Sequence, residues 1–487
     1  MKLRKTIIIT LISLMFVFSL FSVSAQESYS TFNYTISGSE TASPPIFEVE
    51  RTIYGSHYSC GSFNEAMDIF VDAQDRLYLL DSGNARVLLF DKNFTLERVI
   101  SDFYYEGKTI QLATGASGIF YQDVTDQLYI TDTANNRILV SDRNGKITHI
   151  WNKPQSELLD PSTEYLPSKI IVDNSNNMYV LSKNINTGAL LLDANNNFVS
   201  FFGINKVQET ALMKAERFWS KLFSGNSESG DYSFQPVEYN NLFWGNDRFV
   251  YAVSTRNEYL SSEVVKLNAL GNNILKTTDF ADLLDDSERV EVIDITVEDN
   301  GFFTILDRYN GKLYNYDSEG ELIGAYGGIG QQEGLFKSPC AIESMSDGRL
   351  IVLDADKNNM TVFKPTYYAC LVRQAVLLFQ DGCYIESLEP WQEVLKINSN
   401  FSLAYIGMGK ANMMLGNYEK AKQQFENGGD KVNYSLAKQA ARDNLLKQNF
   451  TIIAFLVFAF GVFIVFLDKI VAFIKLFILK AGRRQKR

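Results

Sequence analysis

Histidine, cysteine and proline are scarce in this chain of 487 residues, which has two His, four Cys and nine Pro. His57 and His149 stand far apart and outside any metal-ligand spacing, so zinc sites built on histidine and Ser-His-Asp relays have almost no material. Both histidines are expected to be ordinary turn or surface residues. Cys60, Cys340, Cys370 and Cys383 are too few for a disulfide scaffold, which leaves free thiols or a single bridge. The chain also lacks a phosphate-binding loop, a G-x-S-x-G elbow and an EF-hand loop. Positive charge is short as well. Removing the three positive charges of the N-terminal leader and the net six of the C-terminal tail from a formal charge of −11 leaves about −20 on the part between them. That sign disfavours nucleic acid as a partner. Nothing in the sequence calls for a cofactor.

Aromatic residues are plentiful. The 35 Phe and 25 Tyr, with 46% hydrophobic and 21% charged residues, favour strands packed in sheets, and the length favours two or more folded units. Residues 1–25 read as a secretion signal. Lys2, Arg4 and Lys5 precede the apolar run 7–21, and Val23, Ser24 and Ala25 close it. No Cys follows that site, so a lipid anchor is not indicated. A linker over 26–45 is expected next. Near the other end, 450–467 carries no charge and is long enough to cross a bilayer as a helix. The basic tail 468–487 follows, and an excess of Lys and Arg places such a tail in the cytoplasm. The expected localisation is therefore a single-pass cell-membrane protein with its large part outside.

Between these ends the chain repeats itself. AMDIFVDAQDRLYLLDSGNARVLLFD (66–91), SGIFYQDVTDQLYITDTANNRILVSD (117–142) and SKIIVDNSNNMYVLSKNINTGALLLD (168–193) share a turn-forming acid, Asp72, Asp123 or Asp173, six residues before a strand tyrosine. Copies at 292–317 and 339–363, with a divergent one at 239–268, bring the count to six. A period of this size with short strands and polar turns is that of propeller blades. The last copy stops after its third strand, while Phe47–Tyr54 resembles an outermost strand, so that segment is expected to complete the final blade. These copies resemble NHL repeats. Tyr326-Gly-Gly-Ile-Gly, running on to Pro339, matches the family's inter-blade motif. Asp81, Asn84 and Arg86, then Asp132, Asn135 and Arg137, match its D-x-x-N-x-R; Asp307, Asn310 and Lys312 match with Lys for Arg, and the third and sixth copies depart from it. The resemblance implies an all-β six-bladed propeller over 46–364, interrupted at 204–236. It implies a pairing of Asp with Arg inside each loop. If a ligand binds at that mouth, Arg86, Arg137, Asn84 and Asn135 are the candidates.

Within the interruption, 207–223 has the spacing of an amphipathic helix, either a rim decoration or a partner-binding lid. After Lys364-Pro365 the apolar period changes from two to about 3.6, which marks a domain boundary. Gly382 and Tyr384 recur as Gly416 and Tyr418, 34 residues on, and Tyr405, Gly409, Ala411, Ala421 and Phe425 fall in step. This small all-α region, 366–447, resembles tetratricopeptide repeats, which implies either a groove for a partner protein or a stalk.

Together these features point to an extracytoplasmic, membrane-anchored binding or scaffold protein. The propeller would take a carbohydrate, peptide or protein, and the helical repeats would dock a protein partner at the membrane, such as a transport complex. The alternative is a metal-dependent propeller hydrolase of the lactonase type, with Glu, Asn and Asp around a divalent ion in the central channel.

Overall fold

The computed structural model describes residues 29–34, 40–203, 238–255, 264–275 and 290–484. The expected leader and the amphipathic stretch 207–223 lie outside the described residues. The chain divides after Arg373 into two compact units.

The first unit is a six-bladed β-propeller. Blade 1 consists of Asp68–Val71, Leu77–Asp81, Arg86–Phe90 and Leu96–Ile100, each strand antiparallel to the next. The inner strands of blades 2 to 6 are Gly118–Gln122, Leu166–Val172, Tyr239–Trp244, Val292–Val297 and Pro339–Ser344. Blade 4 has three strands among the described residues. In blades 1, 4, 5 and 6 every residue of the second strand is buried. Those strands therefore read as continuous apolar runs, because a neighbouring blade covers each face. Between blades 1 and 2, Tyr78, Leu80 and Leu89 pack with Ile119, Tyr121 and Leu128. Between blades 6 and 1, Ile351 and Leu353 pack with Ile69 and Leu79.

The turn acids act through the backbone. The Asp72 carboxylate accepts the N–H groups of Gln74 and Arg76, both at 2.9 Å, and Asp91, Asp142, Asp173, Asp193 and Asp317 repeat the same pair of bonds two and four residues on. A side chain that mimics a backbone acceptor holds the hairpin open at a fixed length.

The ring closes as the sequence suggests. Phe47–Tyr54 pairs antiparallel with Asn359–Pro365, from Tyr54 opposite Asn359 to Phe47 opposite Pro365, with one register shift between Val362 and Phe363. An early strand thus completes the last blade. Phe47 stacks on Tyr326 with ring centres 5.3 Å apart, and its carbonyl accepts the Tyr29 hydroxyl at 2.8 Å. The stretch 26–45 is more than a linker. Phe32–Tyr34 and Glu40–Ala42 form a hairpin that joins the outer edge of blade 5 through Phe32 opposite Ala325, covering an edge that would otherwise stand unpaired.

The second unit begins within helix α1 (Tyr367–Gln380) and continues through α2 (Leu388–Ile397), α3 (Ser402–Met414), α4 (Tyr418–Gly428), α5 (Lys431–Gln448) and α6 (Phe450–Arg484). The boundary lies nine residues beyond Lys364 because Arg373, in the first two turns of α1, belongs to the propeller. Its Nη1 donates to Glu298 Oε2 at 2.6 Å, and its guanidinium lies over the rings of Phe47 and Phe302. Gly382 and Gly416, the repeated glycines, both take positive φ after a helix, where glycine is favoured. A Cβ on Gly409 would come within 2.6 Å of the Phe425 ring, so this glycine is what lets α3 and α4 approach. Helix α6 contains a 29-residue stretch, Phe450–Ile478, whose most apolar 18-residue window has mean hydropathy 2.9 and no burial within the protein. It is long and apolar enough to cross a bilayer.

Ile53 is buried in the closing strand, opposite Met360. Ile53→Ala is expected to lower the unfolding free energy by about 2 to 5 kcal/mol, read as a fall in the urea midpoint of the propeller. Glu48→Ala, on the same strand but half exposed in an ion pair with Lys364, should move it by about 0.5 kcal/mol at most.

Candidate functional site

The inner strands surround the ring axis, and apolar side chains suit most of their positions. Polar groups interrupt the pattern, among them Asp68, Lys169, Asn241, Asp294 and Glu343. The first four occupy equivalent places, opposite Leu80, Leu181, Val253 and Leu306 of their own second strands. Each precedes its blade's turn residue by four positions. Glu343 stands two residues further along the equivalent strand of blade 6.

Buried polar groups require partners, and two of the acids find them on neighbouring blades. Asp68 accepts the Lys169 ammonium at 2.6 Å on Oδ1 and the Ile119 N–H at 2.8 Å on Oδ2. One carboxylate thereby links blades 1, 2 and 3. Asp294 accepts the Ile295 N–H at 2.8 Å and the Asn241 amide on Oδ1, and the Ile342 N–H at 2.7 Å on Oδ2. It links blades 4, 5 and 6 in the same way. Burial pushes the Asp294 carboxyl up to about 6, with the Lys169 charge pulling the other way. Burial also opposes the charge on Lys169, but the Asp68 and Asp294 carboxylates outweigh it and hold the ammonium above its usual value. Glu343 is pushed well above the carboxyl range by burial and then by Asp294 and Asp68.

A cavity of about 460 Å³ extends from this charged layer along the inner strands to their turns, including Asp72, Asp123, Glu298 and Ser346. Phe70, Phe120, Phe243 and Trp244 line it. Its size is that of a small-molecule pocket. Among the described residues no three His, Cys, Asp or Glu side chains stand close enough to hold a metal ion.

Arg86, Asn84, Arg137 and Asn135 lie toward the opposite end of the ring, because the second strands run back from the turns before reaching these loops. None of them lines the cavity. The Asp81 Oδ2 accepts Arg86 Nε at 2.7 Å and Asn84 Nδ2 at 2.8 Å; Asp132 holds Arg137 and Asn135 at the same distances. Arg86 also donates to the carbonyls of Cys60 and Ser62, and Arg137 to that of Gln111. The structure thus gathers these four residues as two separate clasps. The channel residues escaped the sequence reading, although a charged residue four places before the turn, inside an apolar strand, was a visible signal.

No protein-family model matches this chain, and no curated protein matches it either. Among solved structures, a virginiamycin B lyase from Staphylococcus aureus is 10% identical, covers 66% of this chain and all of its own, and has a TM-score of 0.40. A gluconolactonase from Xanthomonas campestris is 12% identical over 62% of this chain and 86% of its own, with a TM-score of 0.39. The WD40 β-propeller domain of Doa1 is 13% identical over 66% and 98%, with a TM-score of 0.37. Similarity at this level assigns no activity, ligand or partner to this chain.

Lys169→Met would strand the buried Asp68 carboxylate, and a stability loss of about 3 to 5 kcal/mol is expected from denaturant unfolding. Adding Asp68→Asn should recover part of it, since position 68 then carries no unpaired charge. Asp294 carries a separate pH signature. Its carboxyl is raised from 3.8 to about 6 on folding, so the folded state binds the extra proton and stability falls as pH rises through that window. Unfolding profiles of the wild type and Asp294→Asn should diverge there, with the wild type losing up to about 3 kcal/mol relative to the variant. Parallel profiles would contradict the assignment.

Proposed function

We propose that this protein is an extracytoplasmic, membrane-anchored binding protein of the NHL-propeller type. Its channel recognises a ligand, and its tetratricopeptide-like helices dock a protein partner at the membrane, such as a transport complex. One observation carries this reading more than any other. The apolar stretch of α6 is unburied, and it follows α5 with only Asn449 between them, so the helical unit is joined directly to a segment suited to lipid. The basic residues after its charge-free part 450–467, from Lys469 to Arg487, favour a cytoplasmic C-terminus, which leaves the acidic remainder outside. In this reading the Asp81 and Asp132 clasps shape the loops, and recognition belongs to the cavity at the other end.

The topology is tested with protease added to intact cells, followed by detection of an epitope at the C-terminus. The large domain should be digested while a fragment of roughly 40 to 60 residues, the span and its flanks, survives with the epitope. Full-length protein persisting until the cells are lysed would contradict the reading. Partner docking is tested by crosslinking in intact membranes and recovery of the full chain. A membrane protein should be captured with it, and captured less when Gly409→Leu disrupts the packing of α3 on α4. Recovery of the chain alone would remove the docking role.

A further inference from the structure

The three acids of the channel are not equally satisfied. Asp68 has the Lys169 ammonium and a backbone N–H; Asp294 has three N–H donors. Glu343 is only 8% exposed and has no ammonium paired with it. The Thr296 hydroxyl stands 3.5 Å from its Oε2 but 2.8 Å from the Ser344 hydroxyl, and the pull of the Ser344 N–H is smaller than the push of burial, Asp294 and Asp68. An O–H···O contact of that length is well beyond the usual 2.5 to 3.0 Å. Glu343 also lines the cavity, so its carboxyl faces space that a ligand donor can enter.

The rest of the lining narrows the donor's chemistry. Lys169 is the one cation among the described residues around the cavity, and Asp68 already holds it. An anionic ligand would find no free positive charge. Aromatic walls accept an apolar body and attract a cation, and Asp75, Asp123 and Asp299 add negative potential at the turn end, where Asp72 is paired with Arg76. We propose that the channel binds a small organic amine in its ammonium form, an aryl or alkyl body between Phe70, Phe120, Phe243 and Trp244 with its charged nitrogen donating to Glu343. This deepens the binding-protein reading by naming a ligand class for the same cavity.

Binding should be linked to a proton. The charged groups facing Glu343 are Asp68, Asp294 and Lys169: burial and then the two carboxylates push its carboxyl up and favour a proton there in the empty channel, while Lys169 pulls the other way. An arriving ammonium replaces that proton: Glu343 releases H⁺ to solvent, and the carboxylate pairs with the N–H donors, charge being conserved. Affinity for an amine that is already protonated should therefore rise about tenfold per pH unit while Glu343 remains protonated in the free protein.

The test is titration calorimetry on the full chain in detergent with 2-phenylethylamine, in two buffers of different ionisation enthalpy, roughly between pH 6 and 8. The expected result is saturable binding, release of close to one proton, and at least about tenfold weaker binding by Glu343→Gln. Thermal unfolding reports whether that variant is folded; if it is not, the pH slope and proton release of the unaltered protein decide. The proposal is overturned if the amine does not bind at millimolar concentration, if neutral 2-phenylethanol binds as well, or if folded Glu343→Gln retains full affinity. Stoichiometric calcium binding that excludes the amine would also overturn it. Failure here leaves capture of a membrane partner untouched, so the two readings fall separately.

Discussion

A blade of four short strands has two faces and no interior, so none of the six can bury its apolar side chains alone. Every other feature of the propeller depends on closing the ring, because only then does each face meet another face. The closing step joins residues more than three hundred positions apart, Phe47–Tyr54 against Asn359–Pro365. That junction is reinforced from three directions. Tyr29 packs beside Phe363 and Tyr326, Phe47 stacks on Tyr326, and the Arg373 guanidinium covers Phe47 from α1. The N-terminal segment and the first turns of α1 are therefore parts of the propeller's own seam.

Closure creates the second constraint. Six inner strands converge on one axis, and their polar residues lose water together. Asp68 and Asp294 answer this by accepting N–H groups from the next blade, which turns two costly carboxylates into staples between blades. Glu343 has no such partner and borders the cavity instead. The rim shares a contact with the helix as well: Glu298, at the turn end of the cavity, is the residue that pairs with Arg373.

Much of the fold was legible because repetition amplifies weak local signals. Asp72, Asp123 and Asp173, each six residues before a tyrosine, marked blades whose individual strands are only four to seven residues long. The closing strand was legible from an incomplete last copy. The N-terminal hairpin was not, since Phe32–Tyr34 is three residues long and gains its stability from the edge of blade 5. The site was less legible than the fold. D-x-x-N-x-R attracted notice because it recurs, and the structure shows how its Arg and Asn clasp the Asp of the same loop. Asp68, Lys169, Asn241 and Asp294 occupy one repeated position with four different partners in mind, so no motif forms, and the bond between Asp68 and Lys169 spans two blades. Periodicity reports what every blade shares; a channel floor is made from what each blade does differently.

Amide hydrogen exchange over Phe47–Tyr54 tests ring closure most directly. If this strand completes blade 6, its ladder amides should exchange as slowly as those of the inner strands and become exposed together with them as denaturant is raised. Exchange within seconds at neutral pH, while the remaining blades stay protected, would show an open ring and contradict the architecture on which the channel depends.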